Sequence, residues 1–293
     1  MHHVVIGAGP AGVTACETLR ELDAGADITL ISGEPETPYS RKAIPYLLVD
    51  EIKENGTNLR KSENYISDRK IDIQNVSVSA VNPEAKSLTF ENVDTLIYDR
   101  LLIATGASPI RPPIAGIDLP GVHQFWTLPD AREIAARARN GTSVVLVGAG
   151  FIGCIILEAL VKRGCKLTVV EREDRMVSRM LDSTAGRMLK RWCESKGITV
   201  LTNTAVNEIT EKGNNLSVSL DNGEAITAGL VITAAGVKSN TDFLNGSSID
   251  MKQGILVDHH LQSSEQDIFA AGDVAQGRDF TSGDFAVQAV QPT

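Results

Sequence analysis

The sequence lacks the features that would place it among membrane or nucleic-acid-binding proteins. No apolar run approaches the roughly 20 residues that a membrane-spanning helix needs. The 28 Lys and Arg residues form no basic cluster, and with 37 Asp and Glu residues the formal net charge is −9. We therefore expect neither a membrane nor a nucleic acid as a partner.

Cysteine is scarce, and its spacing matches none of the common cysteine-based sites. The four cysteines are Cys16, Cys154, Cys165 and Cys193. No two of them have CxxC spacing, and no Cys/His cluster suggests a zinc site, so we predict no metal site. Because the first strand pattern starts at His2, we expect no signal peptide and a cytoplasmic location, with the cysteines as small buried side chains.

What the sequence does contain is a strand–turn–helix pattern in two copies. HHVVIGAG reads as an apolar strand ending in glycine, and PAGVTACETLRELDAG follows with helical periodicity. SVVLVGAG and FIGCIILEALVKRG repeat this order, and Gly148 lies 141 residues after Gly7. A duplication of this length predicts two related domains. We also expect a helix over residues 58–70, followed by antiparallel strands.

Each copy carries the spacing GxGxxG between its strand and its helix. In this pattern the first glycine permits a tight turn, the second lets a pyrophosphate approach the backbone, and the third lets helix and strand pack closely. The free N–H groups at the helix N-terminus favour phosphate. The glycines are Gly7, Gly9 and Gly12 in the first copy and Gly148, Gly150 and Gly153 in the second.

An acidic residue follows each glycine motif at the distance expected for a ribose ligand. Glu34 lies 22 residues after Gly12, and Glu171 lies 18 residues after Gly153. Two complete motifs predict two dinucleotide sites in one chain. A flavin and a nicotinamide form a natural pair, because hydride passes from one to the other.

Five ordered motifs resemble those of the pyridine nucleotide-disulfide oxidoreductase superfamily. They are VVIGAGPAGVTA, LLIATGASP, VVLVGAGFIG, ITAAGVKSN and SSEQDIFAAGD. EPETPYSRKAIPYLL and AVQAVQPT are similar to one branch, which contains NAD(P)H-dependent rubredoxin and ferredoxin reductases, NADH oxidases and the flavin part of assimilatory nitrite reductases.

This resemblance implies an α/β fold of two Rossmann-like three-layer domains, with the second inserted in the first. The FAD-binding domain would comprise residues 1–110 and 240–293, and the NAD(P)H-binding domain residues 111–239. Relatives continue through a helix that starts at VQAVQPT into a C-terminal domain, which commonly forms the dimer interface. A homodimer is therefore the expectation only if that domain is present.

The resemblance also implies the cofactor-binding residues. FAD would contact the first glycine-rich turn, a ribose ligand, an arginine, a residue at the adenine, the crossover turn and an aspartate at the ribityl chain. In the order of these roles the residues are Gly7, Gly9, Pro10, Ala11, Gly12, Glu34, Arg41, Val78, Ala104, Thr105, Gly106 and Asp273. The nicotinamide dinucleotide would meet Gly148, Gly150, Phe151, Ile152, Gly153 and Glu171, with Gly236 at the return crossover.

The sequence departs from the family pattern at three places. Ile155 stands where many relatives carry a glutamate near the nicotinamide. Glu158, one helical turn later, is either a candidate catalytic residue in its place or an ordinary glutamate of the helix surface. Tyr46 stands where reductases of this branch often carry a lysine.

Glu171 favours NADH because a carboxylate repels a 2′-phosphate, whereas the nearby arginines Arg172 and Arg175 leave NADPH open.

The third departure decides the functional interpretation. TPYSRKAIPYLL, at residues 37–48, has no cysteine where disulfide reductases of the family carry one beside the flavin. The resemblance therefore implies an FAD-dependent NAD(P)H oxidoreductase that passes electrons to an external acceptor, a small electron-carrier protein or oxygen. The alternatives are a non-catalytic flavin-binding subunit of a larger complex and a disulfide reductase, which needs a reactive thiol.

Overall fold

The computed structural model describes residues 1–62, 64–279 and 282–287. The chain forms two compact units. Unit 1 comprises Met1–Ser40, Asn58–Ser108 and Lys238–Thr293, and unit 2 comprises Arg41–Thr57 and Pro109–Val237. The predicted α/β class with Rossmann-like parallel sheets is confirmed. The segment Arg41–Thr57 lies in unit 2, whereas the sequence prediction placed it in the first domain.

The helices predicted after the two glycine motifs are present, whereas the helix predicted over residues 58–70 is an exception. The α-helices are α1 Pro10–Leu22, α2 Ile44–Leu48, α3 Tyr65–Asp68, α4 Leu128–Arg137, α5 Phe151–Lys162 and α6 Ser183–Ser195. Short 3₁₀ turns cover Arg41–Ala43, Glu54–Thr57 and Asp242–Leu244. The helix that the sequence predicted to begin at VQAVQPT lies outside the described residues, apart from Val287, which ends a strand.

The exception is the helix predicted over residues 58–70, which is wrong outside α3. Asn58 forms a β-bridge with Tyr39, and the Leu59 N–H donates to the Pro38 carbonyl at 2.9 Å. These long-range bonds satisfy the backbone in an extended form. The exposed polar sequence by itself gives no sign of them.

Unit 1 is built on a parallel sheet in the strand order of a dinucleotide-binding fold. In spatial order its strands are Ile268–Ala270, Arg100–Ile103, His2–Ile6, Asp27–Ser32 and Asp72–Asn75. Every pairing in it is parallel. The strand order reverses beside His2–Ile6, and ligands of such sheets bind at the carboxyl ends of the strands at this reversal.

Two further layers cover this sheet. On one side α1 packs through a cluster that includes Val13, Cys16 and Ile28. A larger cluster joins the sheet to an antiparallel sheet and includes Leu88, Tyr98 and Ile268. The antiparallel strands are Val78–Asn82, Ser87–Phe90 and Thr95–Ile97. A small mixed sheet completes unit 1 with Ile255–Leu256, Ala275–Arg278 and Phe285–Val287.

Unit 2 repeats the plan. In spatial order the strands of its parallel sheet are Thr199–Leu201, Lys166–Val170, Ser143–Val147, Leu230–Thr233 and Val122–Gln124. An antiparallel sheet covers one face with Val206–Lys212, Asn215–Leu220 and Ala225–Ala228, and the core between the sheets includes Val145, Ile209 and Val231. Two short strands, Ala107–Pro109 and Val237–Ser239, pair with each other.

A charged pair connects α1 to the extended segment of unit 1. The Arg60 guanidinium donates to the Glu17 carboxylate at 2.7 and 2.5 Å, and the Glu17 side chain is only 11% exposed. Burial opposes ionisation of Glu17, but the hydrogen bonds from Arg60 and Tyr65 outweigh it and lower the pKa of the Glu17 carboxyl. The pair therefore contributes stability while Glu17 is ionised.

We expect Glu17→Gln to lower the free energy of unfolding at pH 7 by about 2 kcal/mol, because Arg60 loses its charged partner. A carboxyl whose folded-state pKa is depressed contributes fully above its unfolded pKa of about 4.3 and less as the pH falls through the folded value. The difference between wild type and variant, measured by urea unfolding, should therefore shrink below about pH 4. Glu21→Gln on the same helix is the matched control, and a difference that stays constant down to pH 3 would contradict the pairing argument.

Candidate dinucleotide-binding sites

The first glycine-rich turn joins the strand His2–Ile6 to α1. Gly7 has φ +111°, and its N–H donates to the Ile31 carbonyl at 2.8 Å. Gly9 is the N-cap of α1, Pro10 is its first residue, and no side chain caps the first turn. The turn therefore presents uncapped backbone N–H groups at a helix N-terminus, which is the arrangement that binds phosphate.

The fold itself requires two of the three glycines. A Cβ atom on Gly7 would lie 2.2 Å from the Ala104 carbonyl oxygen, and one on Gly12 would lie 1.9 Å from the Gly7 carbonyl oxygen. Both clashes are with backbone, so no side-chain rotation relieves them. These two glycines are therefore explained by packing within unit 1.

Gly9 has no such explanation. Its φ of −74° is accessible to any residue, and a Cβ atom at this position would meet no atom of the described residues within 4 Å. Neither the backbone conformation nor the packing of the chain requires glycine here. Open space beside an uncapped helix start is what a pyrophosphate needs, so the residues of this turn fit the FAD that the sequence predicted.

The second turn has the same division of roles. Gly148 has φ +101°, and a Cβ atom there would lie 2.5 Å from the Ala234 carbonyl oxygen. A Cβ atom on Gly153 would lie 2.4 Å from the Gly148 carbonyl oxygen. Gly150, the N-cap of α5, has φ −72°, and a Cβ atom on it would have no neighbour within 4 Å among the described residues. Phe151 and Ile152 open α5, whose first turn has no side-chain cap.

Each predicted ribose ligand follows the strand that comes after the glycine-rich turn and its helix, Asp27–Ser32 in unit 1 and Lys166–Val170 in unit 2. In unit 1 the buried Tyr39 donates its hydroxyl to Glu34 Oε2 at 2.6 Å. The Ser32 hydroxyl also donates to the Glu34 carbonyl at 2.8 Å. The structure thus fixes the orientation of Glu34 through a tyrosine from TPYSRKAIPYLL, which the sequence had not connected to it.

In unit 2 the carboxylate of Glu171 contacts the glycine-rich turn directly. Its Oε2 accepts from the Ala149 N–H at 2.6 Å, and its Oε1 accepts from the Glu173 N–H at 2.8 Å. Glu171 therefore lies against the turn predicted to bind the nicotinamide dinucleotide, and its contact with the ribose stays a prediction. Two backbone donors hold the negative charge beside the site, which disfavours a ligand with an additional phosphate there.

The two nearby arginines differ in their freedom. Arg175 donates to the Leu181 and Ser178 carbonyls at 3.0 and 3.4 Å and pairs with Asp174 at 2.6 Å. Arg172 is 82% exposed and contacts only the neighbouring Glu173, at 3.2 Å, among the ion pairs of the described residues. Arg175 therefore organises its own loop, and Arg172 is the arginine able to reorient toward a 2′-phosphate.

The predicted crossover turns lie beside the glycine-rich turns. The Ala104 N–H donates to the Ile6 carbonyl at 2.7 Å, and Gly106 has φ +66°. In unit 2 the equivalent Gly236 has φ +103°, and its carbonyl accepts from the Ile110 N–H at 2.8 Å. Both crossovers therefore begin at the strand that flanks the reversal of strand order.

Thr105 and Asp273 are two further residues of the predicted FAD set in unit 1. The Thr105 hydroxyl donates to the Asn240 carbonyl at 2.8 Å, and the Asp273 carbonyl accepts from the Ser239 hydroxyl at 2.8 Å. Ser239 and Asn240 are polar residues that the sequence pattern did not assign to the site. The only signal for them was their place at the end of the motif ITAAGVKSN.

The two remaining residues predicted for FAD, Val78 and Arg41, form contacts of other kinds. Val78 is on an antiparallel strand of unit 1 and packs against the larger core cluster. Arg41 belongs to unit 2, where its guanidinium lies 5.5 Å from the centroid of the Trp126 ring. Their contacts with FAD stay predictions.

The candidate catalytic residue Glu158 is on the exposed surface of α5. Its side chain is 70% exposed and pairs with Lys162 at 3.2 Å. Lys162 also pairs with Glu51 at 3.1 Å. Exposed pairs spaced by four residues are common on helix surfaces and contribute little. The catalytic role of Glu158 stays a prediction, and nothing in its contacts adds to it.

All four cysteines are free thiols. Burial raises the pKa of the Cys16 thiol to about 12 and that of the Cys154 thiol to about 11. Burial also raises the pKa of Cys165 and of Cys193. Because the thiolate is the nucleophile in disulfide exchange, these environments disfavour a redox-active thiol.

We expect the thiols to be almost unreactive at pH 7.5. Burial raises the pKa of every one of them, and Cys154, with its pKa raised to about 11, would be ionised to only about one part in 3,000 at that pH. Ellman's reagent should therefore modify the cysteines of the native protein slowly. After denaturation it should modify all four cysteines. Reduction with NADH under anaerobic conditions should release no additional thiol, and release of two would support the disulfide reductase.

The described residues contain no helix long and apolar enough to cross a membrane. In the same ranges no group of three or more His, Cys, Asp or Glu side chains is placed to hold a metal ion.

The sequence matches the family description "Pyridine nucleotide-disulphide oxidoreductase" over residues 1–292. The chain belongs to this family. Its members are enzymes that bind FAD and NADH, and this chain is a flavoprotein oxidoreductase of that kind. The two glycine-rich turns described above lie in the two parallel sheets that a protein with two dinucleotides requires.

Three members of the family illustrate the range. The NADH-dependent phenylglyoxylate dehydrogenase subunit epsilon of Aromatoleum evansii is 30% identical over 290 residues, which is 99% of this chain and 69% of that protein. The rubredoxin-NAD(+) reductase of Pseudomonas putida is 30% identical over 285 residues, 96% of this chain and 73% of that protein. The solved water-forming NADH oxidase from Lactobacillus brevis, bound to NADH, is 25% identical with a TM-score of 0.91, covering 98% of this chain and 65% of that one.

Proposed function

We propose that the protein is an NADH:acceptor oxidoreductase with FAD as its bound cofactor and without a redox-active cysteine. The observation that carries the proposal is the pair of glycines, Gly9 and Gly150, that neither backbone nor packing requires. Each lies at an uncapped helix start. Two separate anion cradles of this kind support one bound flavin dinucleotide and one exchanging nicotinamide dinucleotide.

Unit 1 is proposed to hold FAD. The N–H groups of Ala11 and Gly12 would bind the pyrophosphate, since they lie in the uncapped first turn of α1. Glu34, oriented by the Tyr39 hydroxyl, would accept from the adenosine ribose. When bound, the flavin accepts hydride from a reduced nicotinamide and gives up electrons singly or in pairs.

Unit 2 is proposed to hold NADH in preference to NADPH. Both carboxylate oxygens of Glu171 accept backbone N–H groups, so the side chain is held at the end of its strand with its charge beside the turn. A ribose 2′-hydroxyl can donate to this carboxylate, whereas a 2′-phosphate would be repelled by it. Arg172 is too exposed to offset that repulsion fully.

The acceptor is proposed to be external to the chain. Burial raises the pKa of all four thiols, which disfavours a cysteine of the chain as the group that receives electrons from the flavin. One relative is named as a rubredoxin reductase and another as a water-forming NADH oxidase. These names indicate two classes of acceptor, a small redox protein and oxygen. Free thiols also favour a cytoplasmic location, because they persist in a reducing compartment.

The test is a reduction experiment on purified, FAD-loaded protein. Under anaerobic conditions NADH should bleach the oxidised-flavin absorbance faster than NADPH at equal concentration. Rubredoxin, ferredoxin and oxygen are then added separately, and the acceptor that restores the absorbance within the turnover time is the substrate. Failure of both nicotinamides to bleach a protein that has bound FAD would exclude the proposal.

A second function, an electron-transfer subunit of a larger complex, is favoured by one relative. The phenylglyoxylate dehydrogenase component is named as a subunit and matches 99% of this chain. In that case the isolated protein should still be reduced by NADH but should show negligible turnover with every free acceptor. Turnover with a small redox protein alone would exclude it.

A further inference from the structure

The return crossover enters unit 1 through Ser239 and Asn240, which the proposed function leaves without a role. Ser239 is 5% exposed, and Asn240 is partly buried. The two residues contact segments of unit 1 that are distant in sequence. Thr105 is 135 residues away from Asn240, and Asp273 is 34 residues away from Ser239.

Asn240 forms three hydrogen bonds with the predicted crossover turn of the FAD site. Its side-chain Nδ2 donates to the Thr105 carbonyl at 2.9 Å, and its backbone N–H donates to the Gly106 carbonyl at 2.9 Å. In return the Thr105 hydroxyl donates to the Asn240 carbonyl at 2.8 Å. Asn240 therefore holds the turn through both its backbone and its side chain.

Ser239 holds the other predicted FAD segment. Its hydroxyl donates to the Asp273 carbonyl at 2.8 Å. Asp273 follows Gly272, which has φ +79° and lies against α1, since a Cβ atom there would be 3.4 Å from the Ala11 side chain. The position of Asp273 thus depends on the return crossover as well as on its own turn.

The crossover turn also packs against the glycine-rich turn. A Cβ atom on Gly7 would lie 2.2 Å from the Ala104 carbonyl oxygen and 3.0 Å from the Thr105 backbone nitrogen. Such close packing of two backbones allows little independent movement. A shift of Thr105 would therefore displace the start of the pyrophosphate cradle.

We infer that Ser239 and Asn240 are positioning residues of the FAD site, which together fix the crossover turn, the Asp273 turn and, through Thr105, the cradle at Gly7. The inference rests on the proposed function of unit 1. Neither side chain is assigned a contact with FAD. Their contribution is to hold three segments in register before the cofactor binds, which raises affinity by lowering the cost of ordering them.

The test compares two substitutions of one residue. Asn240→Ala removes the Nδ2 donor, and Asn240→Asp keeps the size of the side chain but faces the Thr105 carbonyl with a carboxylate oxygen. FAD is titrated into apoprotein, and the dissociation constant is measured from flavin fluorescence. We expect it to rise about tenfold for Asn240→Ala, which only removes the donor to the Thr105 carbonyl, and further for Asn240→Asp, which also places a repelling carboxylate oxygen against that carbonyl.

The order of the two variants separates positioning from simple filling of space. If Asn240 only filled space, Asn240→Asp would bind FAD better than Asn240→Ala, and that order would overturn the inference. Ser239→Ala should weaken FAD binding by about fivefold to tenfold through the lost bond to Asp273. Asn245→Asp and Asn245→Ala, at an exposed position of the same segment, are the matched controls and should bind FAD like the wild type.

Far-UV circular dichroism and urea unfolding of each apoprotein accompany the titrations. Dissociation constants are compared only among variants that unfold cooperatively like the wild type, and Ser239→Ala extends the test where an Asn240 variant does not fold. Unchanged FAD affinity in folded variants would overturn the inference while the proposed function stands. A wild type that binds no FAD would overturn the proposed function instead, and the inference with it.

Discussion

Gly9→Asp should strongly weaken FAD binding while leaving the apoprotein folded. Aspartate is a favourable N-cap, and its carboxylate would accept from the first-turn N–H groups of α1 that are proposed to bind the pyrophosphate. The Cβ position is open and the φ of −74° suits any residue, so the substitution introduces no clash with the described chain. We expect the dissociation constant for FAD to rise at least about 100-fold, since charge-assisted hydrogen bonds are lost and charge repulsion is added.

Two further variants define what Gly9→Asp measures. Gly9→Asn fills nearly the same space without the charge and should weaken FAD binding less. Gly12→Ala should instead lower the stability of the apoprotein, because its Cβ atom would lie 1.9 Å from the Gly7 carbonyl oxygen and must disturb the fold itself. FAD titration and urea unfolding on all three separate the effects, and a Gly9→Asp protein that retains FAD would remove the basis for placing the pyrophosphate at this turn.

Gly150→Asp should produce the complementary defect. The protein should purify with FAD and a normal flavin spectrum, because unit 1 is unchanged. Its rate of reduction at low NADH concentration should fall at least about 100-fold, since the new carboxylate would occupy the first turn of α5 and repel the pyrophosphate of NADH. Gly150 has the same open Cβ position and ordinary φ as Gly9, so the fold should be retained.

Stopped-flow reduction of the flavin as a function of NADH concentration measures this effect. The apparent dissociation constant for NADH should rise while the limiting rate changes little, because the substitution alters binding and leaves the reacting atoms untouched. Gly150→Asn is again the uncharged comparison. Loss of FAD from Gly150→Asp, or normal affinity for NADH, would contradict the assignment of one dinucleotide to each unit.

The two strand–turn–helix units could be predicted from the sequence because their causes are local. An apolar strand, glycines at fixed spacing and a periodic helix lie within some twenty consecutive residues in each copy. Glu171 could be placed near its turn for the same reason, because it follows the strand Lys166–Val170, which ends beside Val147 at the same edge of the parallel sheet. The contact of its carboxylate with the Ala149 N–H, at 2.6 Å, agrees with that reasoning.

The segment 58–70 shows where local reasoning failed. Its polar, charged residues are typical of an exposed helix. In the structure the Leu59 N–H donates a hydrogen bond to the Pro38 carbonyl, and Arg60 forms an ion pair with Glu17. Both partners are far away in the sequence, so no window around the segment contains the cause of its extended form. Tertiary contacts of this kind override a weak helical preference.

By itself the sequence determined the fold class, the two glycine-rich turns and the absence of a cysteine beside the predicted flavin, because each of these depends on residue types and short spacings. Tertiary structure decided which glycines serve the fold and which leave room for a ligand, since that depends on backbones brought together from distant segments. It also placed Tyr39 on Glu34 and joined Asn240 to Thr105. Such contacts arise only when the sheets are assembled, which is why TPYSRKAIPYLL and VKSN gave no sign of them.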